Sequence, residues 1–134
     1  MICFQTMKRI VCIAFVSLAL MSATTQDHTV MTQEKGVYVV NTTTLAADVE
    51  GYGGATPLKI YIKKNKVLRI EALKNEETPK YFLKVKKHLL PQWDGMTVKK
   101  ALKADVDGVT GATFSSDAVK ENVKRGLQYY QKNK

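Results

Sequence analysis

The chain has 134 residues, room for one compact domain and little beyond it. Its formal charge is +9, from 21 Lys+Arg against 12 Asp+Glu, but the lysines are dispersed and arginine is scarce, which argues against a nucleic-acid-binding face. Both cysteines, Cys3 and Cys12, lie near the N-terminus, so the remaining chain has no disulfide, thiolate metal site or thiol nucleophile.

Met7-Lys8-Arg9 is a basic opening, residues 10–21 are an apolar stretch with no polar face, and Ser22-Ala23-Thr24-Thr25 follows at once. That order reads as a secretory signal peptide over residues 1–25. The run is short of the roughly twenty apolar residues needed to cross a bilayer, so no stable membrane span is expected after cleavage. Met7 is the better translation start, because the basic opening then comes first. Cleavage is expected near residues 23–25, and no cysteine stands there to carry a lipid. Loss of Lys8 and Arg9 leaves 19 Lys+Arg against 12 Asp+Glu, a net +7. The signal predicts an exported protein of the periplasm or cell envelope.

Residues 26–35 are polar and aperiodic, which predicts a flexible lead before a domain over residues 36–134. Residues 37–40 are β-branched and aromatic, a first strand. Thr42-Thr43-Thr44 fits strand or turn, and residues 45–49 read as a second strand stopped by Gly51-Tyr52-Gly53-Gly54. A hairpin follows. Leu58, Ile60 and Ile62 alternate with Lys59, Tyr61 and Lys63. After Lys64-Asn65, Val67, Arg69 and Glu71 alternate with Leu68, Ile70 and Ala72.

Pro79 suits the first turn of a helix, with Thr78 as its N-cap and Phe82, Val85 and Leu89 at helical spacing until Pro91. A short helix is expected over residues 97–103. The last helix is expected to start after Ser115 or Ser116, with Val119, Val123, Leu127 and Tyr130 as its apolar stripe. Asp117 and Glu121 lie early in it and Lys132 and Lys134 late, matching the macrodipole. Strands first and helices later make the fold α+β: a small antiparallel sheet with a central hairpin, covered by two or three helices including the C-terminal one.

The two histidines, His28 in the lead and His88 on a lysine-rich helix, are poorly placed for a Ser-His-Asp device or a zinc site, so neither a catalytic set nor a metal site is expected. The run Asp107-Gly108-Val109-Thr110-Gly111-Ala112-Thr113 has different prospects. It puts the Thr113 hydroxyl on a turn of small residues ahead of a helix N-terminus, where free N–H groups and the helix dipole favour an anion such as phosphate. Ser115 and Ser116 can cap that helix or donate to phosphate oxygens. A plain loop before a capped helix fits these residues equally well.

The run Asp107, Thr110, Gly111, Ala112, Thr113, continued by Ser115-Ser116, resembles the flavinylation motif of the FMN-binding domain family, D-x-x-[ST]-G-A-[ST] followed by x-[ST]-S. That family includes the peripheral FMN-carrying subunits of sodium-pumping quinone reductases and related electron-transfer complexes. The resemblance extends to Gly51-Tyr52-Gly53-Gly54 and to Glu77-Thr78-Pro79, which is similar to the family's E-T-P segment near the flavin ring. Beyond Pro79 the chain departs from the family, with Lys80-Tyr81-Phe82 in place of glycine and leucine.

The resemblance implies FMN as cofactor, joined through a phosphoester to Thr113 by an Mg²⁺-dependent FMN transferase. Asp107 and Thr110 then belong to the segment the transferase recognises, and Glu77, Thr78 and Pro79 lie near the ring. Tyr52, Tyr81 and Trp93 are candidates to stack on it. The function implied is that of an exported electron carrier served by a membrane-bound or exported redox partner. An FMN-dependent reductase of a small extracellular acceptor, and a non-redox secreted binding module, remain as alternatives.

Overall fold

Two tight turns build the sheet. Lys35-Gly36 and Lys64-Asn65 all have positive φ, between 51° and 79°, the geometry of two-residue hairpin turns whose twist matches that of the strands they join. The first links β1 (Met31–Glu34) to β2 (Val37–Asn41), and the second links β3 (Leu58–Lys63) to β4 (Lys66–Ala72). The four strands pair antiparallel in the order β1-β2-β3-β4. The structure, a computed structural model, describes residues 29–134. The expected signal peptide and residues 26–28 of the expected lead lie outside the described residues.

One face of the sheet is buried through Val40, Leu58, Ile60, Ile62, Val67 and Ile70. Three helices cover it. Helix α1 (Pro79–His88) contributes Phe82 and Val85, and the 3₁₀ turn Leu90–Trp93 contributes its two end residues. Helix α2 (Val98–Lys103) contributes Val98 and Ala101, and α3 (Thr113–Asn133) contributes Val119, Val123, Leu127 and Tyr130. The α+β reading of the sequence is therefore the observed fold.

Helix α3 lies close against the sheet because Gly126 has no side chain. A Cβ there would fall on Ile60 and sit 3.0 Å from the Thr42 methyl. One turn earlier a fully buried polar cluster fixes the helix's register. Thr42 Oγ1 donates to Asn122 Oδ1 at 2.6 Å and accepts from Leu58 N at 2.9 Å. Asn122 Nδ2 donates to Ala118 O at 2.9 Å and to Thr56 Oγ1 at 3.3 Å. Every polar atom of the cluster is partnered, so its burial is tolerated.

The observed elements differ from the sequence reading in five places. Residues 31–34 of the expected flexible lead form β1, an edge strand whose polar residues are solvated. The strand expected at residues 45–49 is absent. The segment turns instead through Ala46 N–Thr42 O and Val49 N–Ala46 O bonds, and Arg125 holds it by its bonds to Leu45 O and Asp48. In β4 the alternation breaks: Tyr61 pairs with Arg69 but Ile62 pairs with Val67, so Leu68 is the extra residue of a bulge and is exposed.

Thr78 does stand at the N-cap of α1, but its side chain makes no capping bond, unlike Thr97 of α2, whose hydroxyl accepts from Lys100 N at 3.2 Å. Finally, α3 begins at Thr113, three to four residues before the expected start, because Ser116 N already bonds to Ala112 O. No helix among the described residues is long and apolar enough to cross a membrane.

Candidate functional site

The early start of α3 changes what its first turn offers. Gly111, at φ +84°, turns the chain into the helix, and Ala112 stands at the N-cap with no side-chain oxygen to bond the first N–H groups. A Ser, Thr, Asn or Asp cap is worth about 0.5–2 kcal/mol over alanine, so stability is forgone where the helix's positive end meets solvent. Thr113 is the first helical residue and is exposed, as is Phe114, at 69%. The N–H groups of Thr113, Phe114 and Ser115 lack an intrahelical acceptor, as first-turn groups do.

The wall opposite is the glycine loop, Gly51-Tyr52-Gly53-Gly54, closed on itself by a Gly51 N–Gly54 O bond of 2.7 Å. It lies directly on Glu77. Glu77 is only 6% exposed, and its Oε1 accepts from Tyr52 N at 3.0 Å and from Ser115 Oγ at 2.9 Å. Its Oε2 accepts from Gly53 N at 2.6 Å. The backbone of Glu77 is held in turn by Asn75 Oδ1, which accepts from Glu77 N at 3.1 Å.

The contact leaves no room for side chains. A Cβ at Gly51 would fall on Glu77 Oε1, and one at Gly53 would fall on the Glu76 carbonyl oxygen. Gly53→Ala is therefore expected to cost about 1–3 kcal/mol, as overpacking against backbone does, read as a lower midpoint in denaturant unfolding. An unchanged midpoint would show that the loop does not rest there.

Between these walls and the start of α1 lies a cavity of about 340 Å³, lined by Tyr52, Glu77, Thr78, Tyr81 and the run from Gly111 to Ser115. Tyr52, at 77% exposure, and Phe114 stand at its rim with Tyr81. The cavity thus joins an aromatic rim to an uncapped helix N-terminus. That combination suits a planar ring system carrying an anionic tail.

The candidate residues divide. Glu77, Thr78, Gly111, Ala112, Thr113 and Ser115 come together around the cavity, across 38 residues of sequence in the Glu77–Ser115 bond. Asp107 and Thr110 do not line it. Asp107 is pinned by its backbone, its N–H donating to Gln92 Oε1 at 3.1 Å and its carbonyl accepting from Gln92 Nε2 at 2.8 Å. Ser116 Oγ faces back and accepts from Val109 N at 3.0 Å, bracing the turn.

Pro79 borders a neighbouring hollow with Ala72 and Phe82. Trp93, expected among the stacking candidates, is 2% exposed in the core and does not reach the cavity. Phe114 escaped the sequence reading because it occupies a variable position of the motif. The brace made by Glu77 escaped it because periodicity does not link residues 52, 77 and 115.

The sequence profile of the FMN-binding domain family matches residues 51–128, which run from the glycine loop to the last third of α3. The chain belongs to the FMN-binding domain family. FMN is accordingly its cofactor. No curated protein and no solved structure matches the chain. Every residue lining the cavity lies within the segment that defines this FMN-binding domain. The donor set also fits FMN's chemistry, with apolar and aromatic surface for the ring and an uncapped helix terminus for the phosphate.

Proposed function

We propose that this protein is an exported electron carrier that holds FMN as a phosphoester on Thr113. The observation that carries the reading is the position of Thr113, a hydroxyl residue that opens α3 and lines the cavity in a first turn left uncapped by Ala112. Ester formation joins Thr113 Oγ1 to the FMN phosphorus, with net loss of one water relative to free protein and free FMN. The first-turn N–H groups would hold the remaining phosphate oxygens, and the helix dipole would stabilise their charge.

Tyr52, Tyr81 and Phe114 would supply the surface for the ring, and Thr78 a polar group beside it. The flavin supplies the redox chemistry, and the protein supplies orientation and controlled exposure to solvent. A rim of exposed aromatics leaves the ring approachable by another protein, as a carrier requires. The partners of this reading are an Mg²⁺-dependent FMN transferase and a membrane-bound or exported redox protein. In this reading the transferase recognises the segment around Asp107 and Thr110, two exposed residues that do not line the cavity.

Intact-mass analysis tests the reading. Co-expression of the full chain with an FMN transferase in an exporting host is expected to add the mass of one FMN less one water. A chain that stays unmodified while a known flavinylated protein in the same cells is modified would refute it.

A further inference from the structure

Glu77 does more than line the cavity. Its three side-chain bonds all come from protein donors: two backbone N–H groups of the glycine loop and the Ser115 hydroxyl of the first turn of α3. Loop and helix have no other bond between them among the described residues, so the carboxylate is their bridge. The loop carries Tyr52, the most exposed aromatic at the rim, and the helix turn carries Thr113. Gly51 and Gly53 let the loop settle onto Glu77 at distances that any side chain would forbid.

We propose that Glu77 is a positioning residue whose carboxylate clamps the glycine loop to α3 and so holds Tyr52 against the flavin ring. The proposal rests on the FMN reading of the cavity but goes beyond it. The ring's environment is set by a buried brace spanning three segments, with Tyr52 as the part that touches the ring. In Glu77→Gln the amide retains one acceptor oxygen. Its NH₂ group must then face a backbone N–H, whichever way the amide is turned, so the clamp is lost while the side chain keeps its size.

Two measurements test this, one without flavin. In the flavin-free protein, amide hydrogen exchange at Tyr52 and Gly53 is expected to speed up about tenfold or more in Glu77→Gln, while exchange in the middle of α3 stays slow. In the FMN-loaded protein, a tyrosine stacked on the flavin quenches its fluorescence. Glu77→Gln and Tyr52→Ala are each expected to raise the emission of bound FMN, with no further rise when the two are combined.

Should Glu77→Gln not fold, Ser115→Ala cuts only the link to α3. It carries the same fluorescence expectation while leaving the Gly53 amide protected. Unchanged exchange in Glu77→Gln would overturn the proposal. So would unchanged emission from a loosened loop, or additive effects in the double variant. A wild-type chain that takes up no FMN would instead count against the function proposed above, and the exchange result would still decide the clamp.

Discussion

Thr113→Val is expected to leave the fold intact and to abolish FMN attachment. Valine keeps the branched shape of threonine and removes only the hydroxyl. At an exposed first helical position that exchange changes stability by no more than about 0.5 kcal/mol. Loss of attachment therefore cannot be charged to unfolding, which a thermal melt on the same sample verifies. Ser115 and Ser116 are poor substitutes as acceptors. The Ser115 hydroxyl is committed to Glu77 and the Ser116 hydroxyl to Val109 N, and both residues are buried. Thr110 is exposed but does not line the cavity. A Thr113→Val chain that still gains the FMN mass would show that another hydroxyl is the acceptor.

The largest stability effect is expected at Asn122. In Asn122→Leu the branched skeleton and the number of side-chain heavy atoms are kept, but Thr42 loses its acceptor and Thr56 its donor, both in a fully buried site. Each buried group left unpaired costs about 1–3 kcal/mol, so the variant should lose about 2–5 kcal/mol. For a domain of this size that lowers the melting midpoint by roughly 10 °C or more. The same cluster bonds Leu58 N at the start of β3 and anchors α3 about two and a half turns from its N-terminus, so cavity geometry should suffer as well. A melting point within about 2 °C of wild type would mean the cluster contributes little, as surface substitutions do.

Much of this was legible from residue order because local periodicity and turn chemistry carried it. The β3–β4 hairpin announced itself by alternation around Lys64-Asn65. The start of α1 was marked by Thr78-Pro79, and the core face of α3 by Val119, Val123, Leu127 and Tyr130. The features that escaped depend on partners distant in the chain. Strand β1 has only Met31 partly buried, so it has no apolar period to read and exists by pairing with β2. Residues 45–49 look strand-like, yet Arg125, some eighty positions later, captures them as a turn.

The site divides along the same line. Gly111, Ala112 and Thr113 are contiguous and could be read together from the motif. The role of Glu77 could not, because its partners Tyr52, Gly53 and Ser115 lie 25, 24 and 38 residues away. In the sequence Gly51 and Gly53 read as the stop of an expected strand. Their absent side chains serve instead to admit Glu77 and the Glu76 carbonyl.

The most direct test of the central claim is to locate the modification on the chain. Trypsin should release residues 104–120, bounded by Lys103 and Lys120, as one peptide holding Thr110, Thr113, Ser115 and Ser116. Fragmentation of that peptide from protein co-expressed with an FMN transferase is predicted to put one FMN phosphoester on Thr113 alone. An unmodified peptide, or FMN on any of the other three hydroxyls, would contradict the account.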